Sequence, residues 1–374
     1  MKLTIFQQPP AYFKRFYYLA ILLNVLLSVG KLSAQNLTAQ RDLTEPGSTA
    51  AEALCGPIEI ITLCSNDPDS LVNFFVGGWG LRKFGPFAPS NREKKSLSKQ
   101  WQLPANTNFR LMYFDRPAAP GTILLRVIIF EEKFPLIRSA YGPEENGPFT
   151  IGFPNARQEK VHDKMLSLGY NTLAPMQAAL LSKPDGSKYK YLETIYKGPD
   201  WIHAVGIERG NGMPQLSNID SVTGMGGPGY SAMNVTGMSD TMIAFLTQIL
   251  GYELRRDQVW TTGNGSALGL PAGMPFRFVI AYAKGATSGH FLLMDFQRKE
   301  PIHSTHPPHL PNRGLGMYTV TTDQLEEVLT RSIQAGISIV SPPRLCREPL
   351  KGSYKSMILL APNQVYIEVI ERKK

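Results

Sequence analysis

Hydrophobic residues along this chain fall into two kinds of segment that follow one another. Runs at 58–64, 109–113, 123–131, 189–196, 276–283, 291–296 and 357–360 have the length and the β-branched, aromatic content of strands. Between them lie stretches with an acidic start, one apolar face and a glycine stop, which mark short helices. Asp69, Phe74 and Gly80 define one such helix, and Asp240, Phe245 and Gly251 repeat its spacing 171 positions later. The stretch 156–168 ends at Gly169 and 323–335 ends at Gly336, an offset of 167. In the second of these, Leu325, Val328, Leu329 and Ile333 share one face. A third pair, the strand-like runs 205–209 and 368–372, is offset by 163. An offset that drifts slowly is what one fold with unequal loops produces. Each half then reads strand, helix, three strands, twice over. The expected fold is α+β, with four βαβββ units curled in pairs around cavities.

This pattern divides the chain. Residues 1–34 read as a signal peptide, 35–53 as a linker, 54–210 as a first domain, 211–230 as a Gly/Pro-rich linker and 231–374 as a second domain. At the N-terminus, Lys14 and Arg15 precede an apolar run over 16–30, and the small residues Ser33 and Ala34 follow. The run is shorter than the roughly 20 residues that span a bilayer as a helix. Export, to a periplasm, is the expectation; an uncleaved N-terminal anchor is the alternative, since Leu32 stands three residues before the cut. No membrane span is expected after cleavage.

The phrases Ile61-Thr62-Leu63…Asp69…Phe74-Phe75…Gly80-Leu81, Phe245…Ile249-Leu250-Gly251-Tyr252, Asp323…Ala335-Gly336 and Tyr366-Ile367-Glu368-Val369 cover about residues 56–372. In them the chain resembles the vicinal oxygen chelate superfamily, which includes glyoxalases, bleomycin-resistance proteins and extradiol dioxygenases. Its four units look most like the extradiol dioxygenases, which pair units into two domains and work in the C-terminal one. The resemblance implies a divalent ion (Fe, Mn or Zn) held inside a barrel by imidazoles and a carboxylate from first and last strands. Such an ion acts as a Lewis acid on vicinal oxygens, or as an oxygen carrier if iron.

Carried over residue by residue, the last-strand carboxylate falls on Glu368, and Val205 stands at its counterpart in the first half. The first-strand positions fall near Ile60, Ser231 and Gly316 or Met317, and no His lies in 55–64, 229–237 or 314–322. Two of three usual ligands are therefore missing, leaving Glu368 as the one candidate metal ligand. With residues 292, 294 and 296 turned towards the helices, Asp295 faces inward and mirrors Glu368. Two such carboxylates in one cavity would bind a metal or share a proton. Glu368, Asp295 and His290 are the candidate catalytic residues; Ser231, Tyr366 and Arg126 are the candidate ligand-binding residues. Arg126, inside an apolar run, needs either an acidic ligand group or an internal Glu. Any site is expected between Ser231 and Glu368.

Composition narrows the function classes. Of a formal charge of +9, four charges lie in residues 1–34, and the rest are scattered without interleaved aromatics, which argues against nucleic acid as a partner. Three cysteines without a C-x-x-C exclude a disulfide scaffold and a cysteine zinc site, and no bond is expected between Cys55 and Cys64. Gly224–Gly229 matches G-x-G-x-x-G by letter but precedes a strand and contains Pro228, so it reads as a loop. His303, His306 and His309 sit in a proline-dense loop that sets neighbouring rings roughly 9 Å apart. Two functions stay open. One is an exported protein binding a small, partly aromatic organic ligand in a barrel cavity without the usual metal triad. The other is a divergent metal-dependent lyase, isomerase or extradiol-type dioxygenase using Glu368. The cofactor and the oligomeric state are left undetermined.

Overall fold

Where a strand is covered on both faces its sequence is continuously apolar, and where it lies at a sheet edge polar residues return. That rule orders the structure, a computed structural model that describes residues 54–372 except 183–185 and 211–212. The expected signal segment and linker, residues 1–53, lie outside the described residues. Among the described residues no helix is long and apolar enough to cross a membrane.

Four units follow one another. The first has β1 (Ile58–Ser65), α1 (Pro68–Val72, continued by a π-helical turn, Asn73–Gly78), β2 (Arg82–Phe87), β3 (Phe109–Asp115) and β4 (Leu124–Phe130), with a helix α2 (Asn91–Gln100) inserted after β2. The second has β5 (Gly147–Pro154), α3 (Gln158–Ser167), β6 (Gln177–Ser182), β7 (Lys188–Lys197) and β8 (His203–Arg209). The third has β9 (Tyr230–Asn234), α4 (Ser239–Ala244, with a π-helical turn to Ile249), β10 (Glu253–Thr261), β11 (Pro275–Tyr282) and β12 (His290–Asp295). The fourth has β13 (Gly314–Thr322), α5 (Leu325–Gln334), β14 (Ile339–Glu348), β15 (Gly352–Leu360) and β16 (Tyr366–Glu371). This is the α+β arrangement of tandem βαβββ units that the spacing implies.

The pairing of units corrects the expected domains. The first sheet runs β14-β15-β16-β13-β1-β4-β3-β2 and the second β10-β11-β12-β9-β5-β8-β7-β6. Unit one therefore joins unit four, through the antiparallel contact of β1 with β13, and unit two joins unit three through β5 and β9. Residues 54–210 and 231–374 do not each close on themselves. The described residues belong to one compact unit, and the stretch 211–230 connects two units of the same sheet. Repeats reveal which segments are alike; they do not say which of them pair.

One face of each sheet looks towards the other. Ile61, Leu63, Val127, Tyr318 and Val369 of the first sheet share a core with Ile151, Phe153, Met233, Phe291 and Leu293 of the second, and with Phe74, Phe245 and Val328 from the helices. The far faces make separate clusters, around Leu97, Trp101, Leu111, Ile128 and Ile358 in the first sheet and Phe149, Val205, Ile207, Ala232 and Met294 in the second. All eight residues of β5 and all nine of β13 are buried, whereas the edge strand β10 has no buried residue. Cys55, Cys64 and Cys346 are buried and free.

Candidate functional site

The period of two along a strand decides which side chains meet on the concave face of the first sheet. On β1 and β4 the parallel register sets Thr62 beside Arg126, and on β13 and β16 it sets Thr319 beside Glu368. These two pairs are related by the pseudo-twofold axis between β1 and β13, and all four side chains are fully buried. Arg126 Nη2 donates to Glu368 Oε2 at 2.8 Å, and Nη1 donates to Glu348 Oε2 at 2.8 Å. Nε and Nη2 also donate to Thr62 Oγ1, at 3.1 and 2.9 Å. Arg126 thus pairs with internal carboxylates, the second of the two alternatives its sequence position left open.

The carboxylates have further partners. Tyr113 and Tyr354 donate their hydroxyls to Glu348 at 2.7 and 2.9 Å. Thr319 Oγ1 donates to Glu368 Oε2 at 2.7 Å and Trp101 Nε1 to Oε1 at 3.3 Å. Each of the four carboxylate oxygens therefore already accepts a hydrogen bond, as a buried charge network must. Burial alone would push the Glu368 carboxyl up, but the charge and hydrogen bonds of Arg126, Thr319 and Trp101 outweigh it and hold it below the usual range. Burial likewise works against the Arg126 cation, and Glu368 and Glu348 more than compensate.

The inserted helix α2 seals this centre. Ser90 caps it in a reciprocal box with Glu93, and at its far end Gln100 and Trp101 turn inward. Gln100 bridges Ser356 and Ser341, and the Arg126 guanidinium lies 4.9 Å from the Trp101 ring centroid. Tyr366 sits in the same cluster, covered by His309, whose ring stacks on it at 4.2 Å. His309 is thus packed against the site's cover.

The second sheet has apolar residues at the equivalent places. Gly152 pairs with Val205 and Ala232 with Leu292. The Tyr230 ring fills the space above Gly152, where a Cβ would stand 2.0 Å from it. His290 is sandwiched between Tyr230 and Tyr282, at 5.0 and 4.1 Å, and Arg255 lies over Tyr282 at 3.9 Å. Burial, followed by Arg209 and Arg255, depresses the His290 pKa well below the ordinary value. His203 is likewise buried beside Phe149 and Tyr141, and burial, then Arg138, lowers its pKa to about 3. Neither ring nitrogen of His203 has a well-formed hydrogen bond.

The sequence-derived candidates therefore separate. Glu368, Arg126 and Tyr366 gather in the first sheet; Ser231, His290 and Asp295 belong to the second. Asp295 does not mirror Glu368. Phe291 and Leu293 pack towards the helices while Leu292 and Met294 line the concave face, the reverse of the expected facing. Asp295 stands at the end of β12 and accepts a hydrogen bond from the Gln297 amide. Ser231 bridges the sheets, donating to the Thr150 carbonyl and sharing a hydrogen bond with the Tyr318 hydroxyl. No stretch from Ser231 to Glu368 forms one centre by itself, because units three and four lie in different sheets.

Thr62, Thr319, Glu348, Tyr113, Tyr354 and Trp101 were not legible as site residues. A signal for α2 did exist, the Ser90-x-x-Glu93 capping box. As a seat for the divalent ion the resemblance implies, this set fits poorly. A guanidinium already lies between the two carboxylates, and an incoming cation would meet its charge at close range. Among the described residues, no three His, Cys, Asp or Glu side chains cluster as a metal would need.

A more open feature lies where the sheets meet. A cavity of about 600 Å³ is lined by Asn66, Lys133, Tyr141, Lys197, Asp200 and Arg313, among others. Asp200 and Trp201, both with positive φ (51° and 59°), make the turn between β7 and β8. Arg313 Nη1 donates to Asp200 Oδ1 at 2.9 Å, and Ser65 Oγ donates to the other oxygen. Burial raises the Asp200 pKa, against the lowering influence of Ser65 and Arg313.

No family model matches the chain, and no curated protein sequence matches it. Solved structures do. Glyoxalase I from Zea mays aligns with a TM-score of 0.53 at 11% identity, over 84% of this chain and 92% of that one. A protein of Bacillus subtilis assigned as a dioxygenase aligns with a TM-score of 0.50 at 14% identity, over 87% of each chain. At these identities the likeness is one of fold: the chain has the vicinal oxygen chelate fold.

Proposed function

We propose that this protein binds a small organic molecule and does so without a metal ion, the Arg126 guanidinium supplying a fixed positive charge where the fold elsewhere places a divalent cation. One observation carries the reading. The paired first- and last-strand positions of the first sheet are Thr62 with Arg126 and Thr319 with Glu368, and Arg126 is saturated by two internal carboxylates. A general acid or base must reach its substrate and change protonation near the working pH. Glu368 is fully buried, tied down by Arg126, Thr319 and Trp101, and held below the usual carboxylate range, which argues against the lyase, isomerase or dioxygenase alternative. The second sheet offers Gly152, Val205, Ala232 and Leu292 at the same places, and none of these side chains ligates a cation. The basic and then apolar N-terminal segment supports export as part of the same proposal.

Metal analysis of the purified, untagged protein tests the reading. Less than one-tenth equivalent of Fe, Mn or Zn per chain is expected, with a melting temperature unmoved by a chelator. One tightly held ion per chain, released with loss of stability, would overturn it. Ligand classes are then ranked by the rise in melting temperature they produce.

A further inference from the structure

We infer that the cleft between Lys133, Lys197 and Arg313 binds a small organic acid, its carboxylate held by the lysines and its apolar part against Tyr141 and Tyr170. This rests on the metal-free binding reading and names the ligand class and its seat. The barrel centres are filled by side chains, whereas this cleft combines a volume suited to a small molecule with charged groups from both sheets. Lys133 follows β4 and Arg313 precedes β13 of the first sheet, and Lys197 closes β7 of the second.

The balance of charge decides the sign of the ligand. Both acids of the wall are engaged within it. Asp200 is held by Arg313 and Ser65. Asp67 accepts from the Ser70 amide at 3.1 Å and the Ser70 hydroxyl at 2.6 Å. Arg313 is tied in turn to the Phe134 carbonyl at 2.7 Å and to Asn66 at 2.9 Å. Neither Lys133 nor Lys197 forms a contact ion pair among the described residues; Lys133 acts on Asp200 only through its charge at longer range. Three cations, Lys133, Lys197 and Arg313, against two acids, Asp67 and Asp200, leave the cleft with a net positive charge, which selects an anion.

The backbone points to the same place. Two consecutive residues that are not glycine, Asp200 and Trp201, are held with positive φ. Such a backbone is strained and persists only where surrounding contacts enforce it, often at ligand sites. Here the turn holds Lys197 beside Tyr141: its Nζ lies 5.4 Å from the ring centroid, and the Tyr141 ring packs at a tilt against Trp201 with centroids 4.2 Å apart. A flat acid laid on Tyr141 would bring its carboxylate within reach of that ammonium.

The test uses the full chain with benzoate, its neutral isostere benzamide, and inorganic phosphate, followed by calorimetry and melting temperature. Benzoate is expected to bind at least tenfold more tightly than benzamide, with an affinity that weakens as salt is raised. The double variant Lys133→Ala/Lys197→Ala should lose at least tenfold in benzoate affinity while melting as the unaltered protein does. Phosphate binding equal to that of benzoate would show a plain anion site and overturn the organic-acid assignment. The inference also falls if benzamide binds as well as benzoate, if the double variant binds unchanged, or if about 10 mM benzoate has no effect, since even a millimolar site would then be largely filled. A metal found in the first sheet would sink the metal-free reading and leave the benzoate results standing, so the two failures are distinguishable.

Discussion

At four equivalent positions the first sheet carries Thr62, Arg126, Thr319 and Glu368, and the second carries Gly152, Val205, Ala232 and Leu292. The strands, their order and the parallel pairing of first with last strand are the same in both. What differs is how the space between the strands is filled. In the first sheet a cation and two carboxyl groups are buried, and the fold surrounds them with Tyr113, Tyr354, Trp101 and two threonines until each carboxylate oxygen has a partner. In the second sheet the Tyr230 ring fills the place a side chain on residue 152 would take, and His290 is stacked between two tyrosines. One framework therefore supports a saturated ion-pair network at these positions in one sheet and apolar side chains at the same positions in the other. The two sheets are not equally satisfied: the ring nitrogens of His203 and Nδ1 of His290 in the second sheet have no well-formed hydrogen bond, a cost the first sheet's carboxylates avoid.

The largest expected break in this comparison is Arg126→Ala, which strands Glu348 and Glu368 with no counter-ion. A loss of about 3–5 kcal/mol is expected from removing one partner of a buried ion pair, read by urea denaturation at neutral pH. Adding Glu348→Gln and Glu368→Gln should recover part of it. The single variant should also gain a response the unaltered protein lacks, a melting temperature raised by Mn²⁺ or Zn²⁺, since two carboxylates and two hydroxyls then face the vacated space. Equal metal responses in both proteins would mean that Arg126 does not occupy the cation's position.

Acid should separate the two sheets next. His203 and His290 both have folded pKa values below the ordinary 6.5, so the unfolded chain binds the extra protons. Their contribution is complete above 6.5 and lost as pH falls, towards about 3 for His203. The expected slope is about 1.4 kcal/mol per pH unit for each histidine. Glu368 behaves otherwise: its folded value lies below the ordinary 4.5, so its contribution is present above 4.5 and lost only as pH falls through the folded value. Denaturation curves at a series of pH values should show a decline starting near 6.5 that His203→Phe and His290→Phe reduce and that Glu368→Gln leaves in place.

A smaller effect is expected from Gly152→Ala. The new Cβ would stand 2.0 Å from a Tyr230 ring atom, so the ring and its stack on His290 must move. Overpacking of this kind costs about 1–3 kcal/mol. A neutral result in denaturation would mean that the Tyr230 ring is held more loosely than its contacts imply. The least effect on stability belongs to Lys133→Ala/Lys197→Ala, within about 0.5 kcal/mol by thermal melting, because neither lysine is in an ion pair.

Much of this was written in the chain. The strand-like runs, the helices ending at Gly80, Gly169, Gly251 and Gly336, and the drifting repeat together define four βαβββ units, because backbone periodicity and glycine stops are local properties. The chemistry of single positions was legible too: a carboxylate at Glu368, no carboxylate at Val205, and an Arg126 in an apolar strand that demands an anionic partner. Who that partner is was not. Glu348 lies on an edge strand among Pro, Arg and Cys and reads locally as a solvated residue, and Trp101 belongs to an insertion that the repeat does not contain. The tertiary structure decided that unit one closes on unit four, so Arg126 meets a carboxylate 242 positions away, and that Asp295 and Glu368 part company. The reason is physical. A unit with an unpaired strand can close on any unit of the same shape, and the repeats make all four alike. The choice among them falls to side-chain packing and charge pairing between strands far apart in the sequence, which no local pattern encodes.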